Sequence, residues 1–481
     1  MTIVSETLVY VGRMMPGERR ALTFRVKPNG PRATVNARIT FEHPSGSNTT
    51  FSFSEPIEFV EPQAIHYQPI ANPYVVGPPI EPSPNSPFFG RSQALNWVEQ
   101  NLFEPARTPL LVIHGQRRTG KTSLLLQLEH RGRTRSIQGR PACHVYVDLQ
   151  KVDAGVEYFL LELAERAQKA LHARGLTHLM RLSVEDFRAG PYRAFDRFLD
   201  MADTLLDGGL LVFLLDEFEL LSSHVADRAL VRSVCGYLRS LVEHRDSIAI
   251  VLAGTSPDRI LPAPDCSPLL VLSRNYELTY LDREQTLRLI REPVKPNVQY
   301  DDAAVEAILT LAYGHPYFTQ AICYHSITLL NERKRSTQIA PEDVEDAVER
   351  ILREGNLHMN NLWDDLSPEE QIVMSTLSDR AEVERTTATL RDVQAWCQRC
   401  IDEDAIVRAL GALTERHLIE VSSKRLLDGL PEPGYTLTMA LMGRWASRKH
   451  PLGALLRRLA GRETALEPVP VTMPDALPQR A

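Results

Sequence analysis

The chain has 481 residues, 43% of them hydrophobic and 24% charged, with a formal net charge of −7. That length exceeds one ordinary core, so roughly two to four soluble globular domains are expected. The acidic balance excludes a protein that coats nucleic acid over its whole surface, so any such contact has to be local.

Six scattered cysteines are too sparse for a disulfide scaffold and suit a reducing compartment. The amino terminus, MTIVSETLVYVGR, lacks the basic start and apolar run of a signal peptide. No apolar run approaches the roughly 18 to 20 residues that span a bilayer. A cytoplasmic location with no transmembrane segment is the expectation.

Residues 1–60 carry period-two patterning. Leu22, Phe24 and Val26 alternate with polar neighbours, as do Val35, Ala37, Ile39 and Phe41, then Phe51 and Phe53. Turn clusters MPGE, PNGP and HPSGSN separate them, which predicts a small β-sandwich. Residues 61–87, EPQAIHYQPIANPYVVGPPIEPSPNSP, are extended and semi-rigid by their proline content. They read as a linker; the alternative is a strap in which Tyr74 and Val75 dock on the next domain.

Over 88–281, continuous apolar runs at 110–113, 144–147, 210–215, 248–253 and 276–281 alternate with helical stretches such as 156–173 and 227–242. Runs without alternation fit strands covered on both faces, so this is an α/β domain with a parallel sheet. Residues 282–360 read as a bundle of helices at 282–291, 303–312, 316–331 and 341–354, the first opened by a capping box of Asp282 and Gln285. Residues 361–460 start on a second cap, Ser367 with Glu370. Helices at 368–377, 390–400 and 404–416 precede short strands at 418–421 and 435–437, a winged-helix pattern. The tail, 461–481, is proline-rich and aperiodic, and disorder is expected there.

Chemistry concentrates in three places. The segment GQRRTGKT comprises Gly115, Gln116, Arg117, Arg118, Thr119, Gly120, Lys121 and Thr122. It fits G-x-x-x-x-G-K-[ST] between an expected strand and an expected helix. The glycines let successive N–H groups curl toward phosphate oxygens, and the helix start adds a favourable dipole. In this pattern Lys121 reaches the β- and γ-phosphates of ATP and Thr122 ligates Mg²⁺. The run LLVFLLDEFE, 210–219, ends a buried strand on Asp216 and Glu217. Asp216 would face Mg²⁺, and Glu217 would act as general base on the attacking water. A further strand, IAIVLAGTS at 248–256, ends on Thr255 and Ser256, either of which would reach the γ-phosphate or that water. Two lesser features read as structural: His114, and Cys397 with Cys400, whose spacing has no second pair to complete a metal site.

Taken together these residues resemble the STAND and AAA+ ATPases, especially the bacterial and archaeal group related to origin-recognition initiators. The likeness spans about 88–450. Pro87, Phe88, Phe89, Gly90 and Arg91 look like the family's amino-terminal motif, which implies that Phe89, Gly90 and Arg91 lie near the adenine. The segment 115–122 looks like Walker A, 211–217 like Walker B, and Gly254-Thr255-Ser256 like the sensor-one position. Gly314-His315-Pro316 resembles the G-x-P motif of a helical lid, which implies Pro316 beside the base. A sensor-two arginine is not evident, and Arg274 is the best arginine-finger candidate.

Three functions follow as alternatives. The first is an ATP-gated switch acting on protein partners or on self-assembly, with slow hydrolysis. The second is an initiator-like or transposition-regulator-like ATPase that holds DNA through its winged helix. Against it, the recognition helix opens on Asp402, Glu403 and Asp404, which repel phosphates, and Arg408 is its first positive group. In its favour stand Lys424 and Arg425, and the basic segment with Arg444, Arg448, Lys449, Arg457 and Arg458. The third is a scaffold that binds ATP without turning it over, against which Glu217 argues. The first is favoured.

Overall fold

The structure, a computed structural model, describes residues 2–3, 26–27, 32–42, 48–58 and 68–460. Within the last span, 85, 103–109, 135, 138–139, 153–154, 178–180, 221–227, 261–265, 334–336, 356, 385–386, 398–399 and 426–430 are excepted. The expected tail at 461–481 and the apolar positions Leu22 and Phe24 therefore lie outside the described residues. Two compact units divide the chain, Met1–Pro69 and Ile70–Ala481.

In the first unit, β1 (Thr2–Ile3) pairs antiparallel with β2 (Val26–Lys27), and β3 (Arg32–Glu42) with β4 (Asn48–Glu58). The second ladder runs from Arg32 opposite Glu58 to Glu42 opposite Asn48. Strand alternation puts Thr34, Arg38 and Thr40 on one face, opposite Pro56, Ser52 and Thr50, and these are exposed. In the same ladder Ala37 is opposite Phe53 and Ile39 opposite Phe51, and Phe51 is exposed. Among the described residues this unit is two separate two-stranded ladders, without the second packed sheet a sandwich requires.

The second unit is built on a six-stranded sheet. Its strands are β5 (Leu110–His114), β6 (Ser136–Ile137), β7 (Arg140–Asp148), β8 (Leu210–Asp216), β9 (Ile248–Gly254) and β10 (Ser273–Glu277). They lie in the order β10-β5-β9-β8-β7-β6, all parallel except β6. The apolar runs split by alternation. Leu211, Phe213 and Leu215 of β8 and Ile248, Ile250 and Leu252 of β9 pack with the helices Val156–His172, Pro191–Leu206 and Arg228–His244. Their neighbours Val212, Leu214, Val251 and Ala253 pack on the opposite face with the helices Ser92–Leu102 and Lys121–Thr134. Burial on both faces is why these strands carry no polar positions before Asp216 at the end of β8.

The last strand differs from expectation. It spans Ser273–Glu277 rather than 276–281, and Leu278, whose N–H donates to His114 O at 2.7 Å, leaves the sheet. Leu278 and Leu281 are buried at the junction to the following helix, so their apolarity reflects that junction and not a strand. A disulfide joins Cys235 to Cys266, which the sparse cysteine pattern did not suggest.

After the sheet come the helices Arg283–Arg291, Asp302–Ala312, Pro316–Arg333 and Pro341–Glu354. β11 (Gln299–Tyr300) and β12 (Gln338–Ile339) pair beside them. The capping box of Asp282 and Gln285 is formed in full. Ser367 and Glu370 also exchange hydrogen bonds, at 2.9 and 3.2 Å, ahead of the helix Pro368–Glu384. Next come the helices Leu390–Cys397 and Glu403–Glu415 with a three-stranded sheet of β13 (Ala388–Thr389), β14 (Ile419–Arg425) and β15 (Pro431–Leu437), in the order β13-β15-β14. The helices Ala440–Lys449 and Leu452–Ala460 complete this part. One continuous core runs through both helical stretches, so position 360 is not a break in the packing. Trp363 stacks on His450 at 4.3 Å inside it.

Residues 70–80 are a strap and not a free linker. Ile70 exchanges two hydrogen bonds with the Asn331 amide, at 3.0 and 2.9 Å. Asn72 donates to Tyr324 O at 2.8 Å, and Val75 N–H donates to Gln320 Oε1 at 3.1 Å. These partners lie about two turns and one turn apart along the helix Pro316–Arg333, so the strap runs along it. Tyr74 is buried, and its hydroxyl donates to Ile290 O. The strap then reaches the phosphate-loop helix, where Ile80 N–H donates to Ser123 Oγ at 2.9 Å. Asn331→Ala removes both bonds to Ile70. It is expected to lower stability by about 1–2 kcal/mol and to speed amide exchange over 70–75, with β5, β8 and β9 unaffected. Unchanged exchange at 70–75 would show that the strap is held without this amide.

Candidate functional site

The sheet order places the end of β9 between the ends of β5 and β8. The segment 115–122 leaves β5 and opens the helix Lys121–Thr134. Gly115 has φ +157°, and a Cβ there would stand 2.5 Å from Leu278 O. Its N–H donates to Gly254 O and Thr255 O at 3.3 and 3.2 Å. Gly120 has φ +98°, and nothing lies within 4 Å of where its Cβ would be. The loop is thus pressed against protein at its first glycine and open at its second, beside the helix start. That is the cradle a phosphate needs.

Lys121 is buried and donates to Gly115 O and Gln116 O, both at 2.8 Å, which leaves a third ammonium proton for another acceptor. Burial lowers its proton affinity, and Glu217, Asp216 and Glu219 oppose that effect. Asp216 is buried at the end of β8, and Tyr146 donates to its Oδ2 at 3.1 Å. Burial raises its pKa while hydrogen bonds from Thr122 and Tyr146 pull it back. Glu217 follows in a left-handed conformation, φ 53°, which is uncommon for a side-chain-bearing residue and marks local strain. Burial raises its pKa too, helped by Glu219 and Asp216.

Thr255 lies at the end of β9 with its N–H donating to Glu219 Oε1 at 3.1 Å. Its hydroxyl oxygen is buried and has no hydrogen-bond partner among the described residues. Thr122, Asp216, Glu217 and Thr255 therefore converge around the loop.

The residues of the amino-terminal motif support the loop. Arg91 is buried and donates to Thr119 O at 2.8 Å. Burial brings its pKa down to about 10, so it stays charged at neutral pH. Gly90, φ +72°, is packed against Leu281 and Gln285, and Phe89 lies under Arg288 at 5.8 Å. Thr119 Oγ1 donates to Gln116 O at 2.9 Å. Arg117 and Arg118 are exposed; Arg118 has φ 66°, donates to Gly77 O of the strap and lies 5.5 Å from the Tyr317 ring centre. Pro316 is the first residue of its helix. Gly314, φ +74°, accepts from Leu281 N–H at 2.9 Å, and a side chain there would strike Leu281 O.

Sequence reasoning missed Tyr146, Tyr280 and Glu219. Tyr280 donates to Gln116 Oε1 at 2.7 Å and its ring centre is 5.0 Å from that of His315. The signal for Tyr146 was available, since parallel register sets Asp148 opposite Asp216 and Tyr146 two residues before it. Tyr280 carried no local signal. Arg274 is on the edge strand β10 and donates to Asn101 Oδ1 at 2.6 Å. Cys397 is buried and contacts Thr376 Oγ1 at 3.5 Å, and among the described residues no three or more His, Cys, Asp or Glu side chains are grouped so as to hold a metal ion.

Residues 106–259 match the family model described as AAA domain. The chain carries an AAA-type P-loop ATPase domain. Beyond this AAA domain, the fold is similar to that of a Walker-type ATPase of Pyrococcus abyssi. The two are 15% identical with a TM-score of 0.53, over 77% of this chain and 96% of that one. The Orc2 protein of Aeropyrum pernix, in its ADPNP–ADP complexes, is likewise 15% identical with a TM-score of 0.51, over 80% and 96%. At such identities the shared property is the fold. No curated protein matches the chain. Among the described residues, no helix is long and apolar enough to cross a membrane.

His315 and His358 sit beside the AAA domain's loop, their ring centres 5.5 Å apart. Burial holds the His315 imidazole well below its usual range. His358 is pushed down to about 3 by burial, reinforced by Arg118, Arg117 and Lys121. Both stay neutral when folded, whereas the unfolded chain takes up two protons there as pH falls through about 6.5. Stability is therefore lost on acidification below that value, with these two contributing up to about 3 kcal/mol per pH unit. Replacing both by phenylalanine is expected to flatten the fall in urea-unfolding free energy between about pH 6.5 and 5. An unchanged slope would assign it to other groups.

Proposed function

We propose that this protein is an ATP-hydrolysing switch of the STAND type, in which the nucleotide state of the AAA domain sets the arrangement of a helical lid, the strap and a winged-helix domain. The observation that carries this reading is the set of partners on the loop backbone and side chains. Arg91 grips Thr119, Tyr280 grips Gln116, and Arg118 grips Gly77 while facing Tyr317. A ligand held by that loop bears on the strap and the lid together, and it favours whichever arrangement it contacts better.

The open side of Gly120 and the orphaned Thr255 hydroxyl fit a triphosphate. In this reading the amides of 115–122 cradle ATP, and Lys121 extends to its β- and γ-phosphates. Phe89, Gly90 and Pro316 border the base. Thr122 and Asp216 would hold Mg²⁺, which supplies charge neutralisation on the phosphate oxygens when bound. Glu217 accepts a proton from the attacking water, and Thr255 orients that water or the γ-phosphate.

The carboxy-terminal helices and three-stranded sheet read as the winged helix, and their chemistry supports a protein-facing role. Asp402 caps the helix Glu403–Glu415 at 2.7 Å, and Glu403 and Asp404 are exposed at its start. Val407, on the same helix, and Val421, on β14, are exposed apolar residues. In the basic segment, Arg444 and Arg448 pair with Glu345 and Glu349 at 2.6 and 2.7 Å. His417 bonds Glu277 of β10 at 3.0 Å and Tyr313 bonds Glu420, so this part leans on the sheet edge and the lid.

ATP turnover measured with and without duplex DNA, with particle size recorded in the same samples, tests the reading. Glu217→Gln is expected to lower turnover by about 100-fold or more while sparing binding, and Lys121→Ala to weaken binding. Size and protease sensitivity should differ between ADP and a non-hydrolysable ATP analogue. Identical behaviour in both states would overturn the switch, and salt-sensitive retention on DNA would favour the initiator-like alternative.

A further inference from the structure

We infer that Glu219 is a positioning residue that fixes the end of β9, and with it Thr255, against the phosphate loop. The inference rests on the nucleotide-site reading above and deepens it. The parallel ladder between β8 and β9 ends at Leu215 opposite Leu252. Beyond that point the two strand ends are tied by Phe218 N–H donating to Ala253 O at 3.0 Å, and by Thr255 N–H donating to Glu219 Oε1 at 3.1 Å. A side chain thus continues the ladder where the backbone has turned away at Glu217. Such a bond to an ionised acceptor is stronger and more directional than one between neutral groups.

Gly254 shows how closely the carboxylate is seated. A Cβ at that position would collide with Glu219 Oε2 and stand 2.5 Å from Ile260 Cγ1. Only glycine lets Glu219 lie across the strand end. The same two residues face the loop through their other groups, since Gly254 O and Thr255 O both accept from Gly115 N–H. The carboxylate therefore orients a peptide whose carbonyl side holds the first loop glycine and whose Thr255 hydroxyl is buried without a partner. Glu219 touches no reacting atom in this scheme. It sets where Thr255 sits when the water attacks, so its loss lowers the rate and leaves binding nearly intact.

The test compares Glu219→Ala, which removes the acceptor, with Glu219→Gln, which keeps Oε1, and Glu219→Asp, which is too short to reach. Alanine and aspartate are expected to lower kcat by about 10- to 100-fold, with the dissociation constant for ATP within about threefold of wild type. Glutamine should restore most of the rate. Hydrogen exchange at the Thr255 amide should quicken in the alanine and aspartate proteins and not in the glutamine protein. Wild-type kcat in the aspartate protein, or an unchanged Thr255 amide, would overturn the inference, as would equal losses in kcat and affinity. Glu217→Gln serves as the control. If wild type and Glu217→Gln are both inactive, the hydrolytic reading fails, and exchange at Thr255 still decides the role of Glu219. If Glu219→Ala does not fold, the aspartate and glutamine proteins carry the comparison.

Discussion

Gly115 is where three strands end against one another. Its N–H is shared between Gly254 O and Thr255 O, and the face that lacks a side chain lies on Leu278 O. Any other residue would push β5 away from the segment leaving β10 and lift the loop off β9. The loop therefore starts from a point fixed on both sides, and its later residues project into open space from a rigid base. The same contact links it to Leu278, and from there to Leu281 and the first helix after the sheet.

Around this base the chain buries groups that an unconstrained core would exclude. Lys121 and Asp216 are buried, Glu217 is largely withdrawn from water, and two neutral histidines stand close by. Arg118 and Glu217 also hold left-handed backbone conformations. Desolvated charges and strained dihedrals lower the stability of the resting fold, and they cluster where a ligand supplies the compensating interactions. The strap follows the same logic from outside. It runs along one helix by bonds to Asn331, Tyr324 and Gln320, then closes on the loop helix through Ser123.

Much of this was legible without coordinates. The glycine spacing of 115–122, the acidic end of 210–217 and the doubly apolar strands are local signals, and each names its own chemistry. The capping boxes at Asp282 and Ser367 were equally readable, because a cap involves residues three apart. The end of the last strand was misjudged because Leu278 and Leu281 are apolar for burial at a junction, which a one-dimensional pattern cannot tell from burial in a sheet. The strap was underrated because its partners, from Gln320 to Asn331, lie about 250 residues away.

The sequence by itself determined that a phosphate loop and a pair of carboxylates are present, since each is a short run whose function lies in its own spacing. Only the tertiary structure decided which distant groups hold them. Arg91 donates to Thr119 O, Tyr280 and Gly77 became partners of the loop, and Glu219 accepts from the Thr255 amide. The basic helix became two ion pairs with Glu345 and Glu349. The reason is physical. Backbone curvature is set by neighbours in sequence, whereas the burial and pairing of a charge depend on what the fold brings beside it.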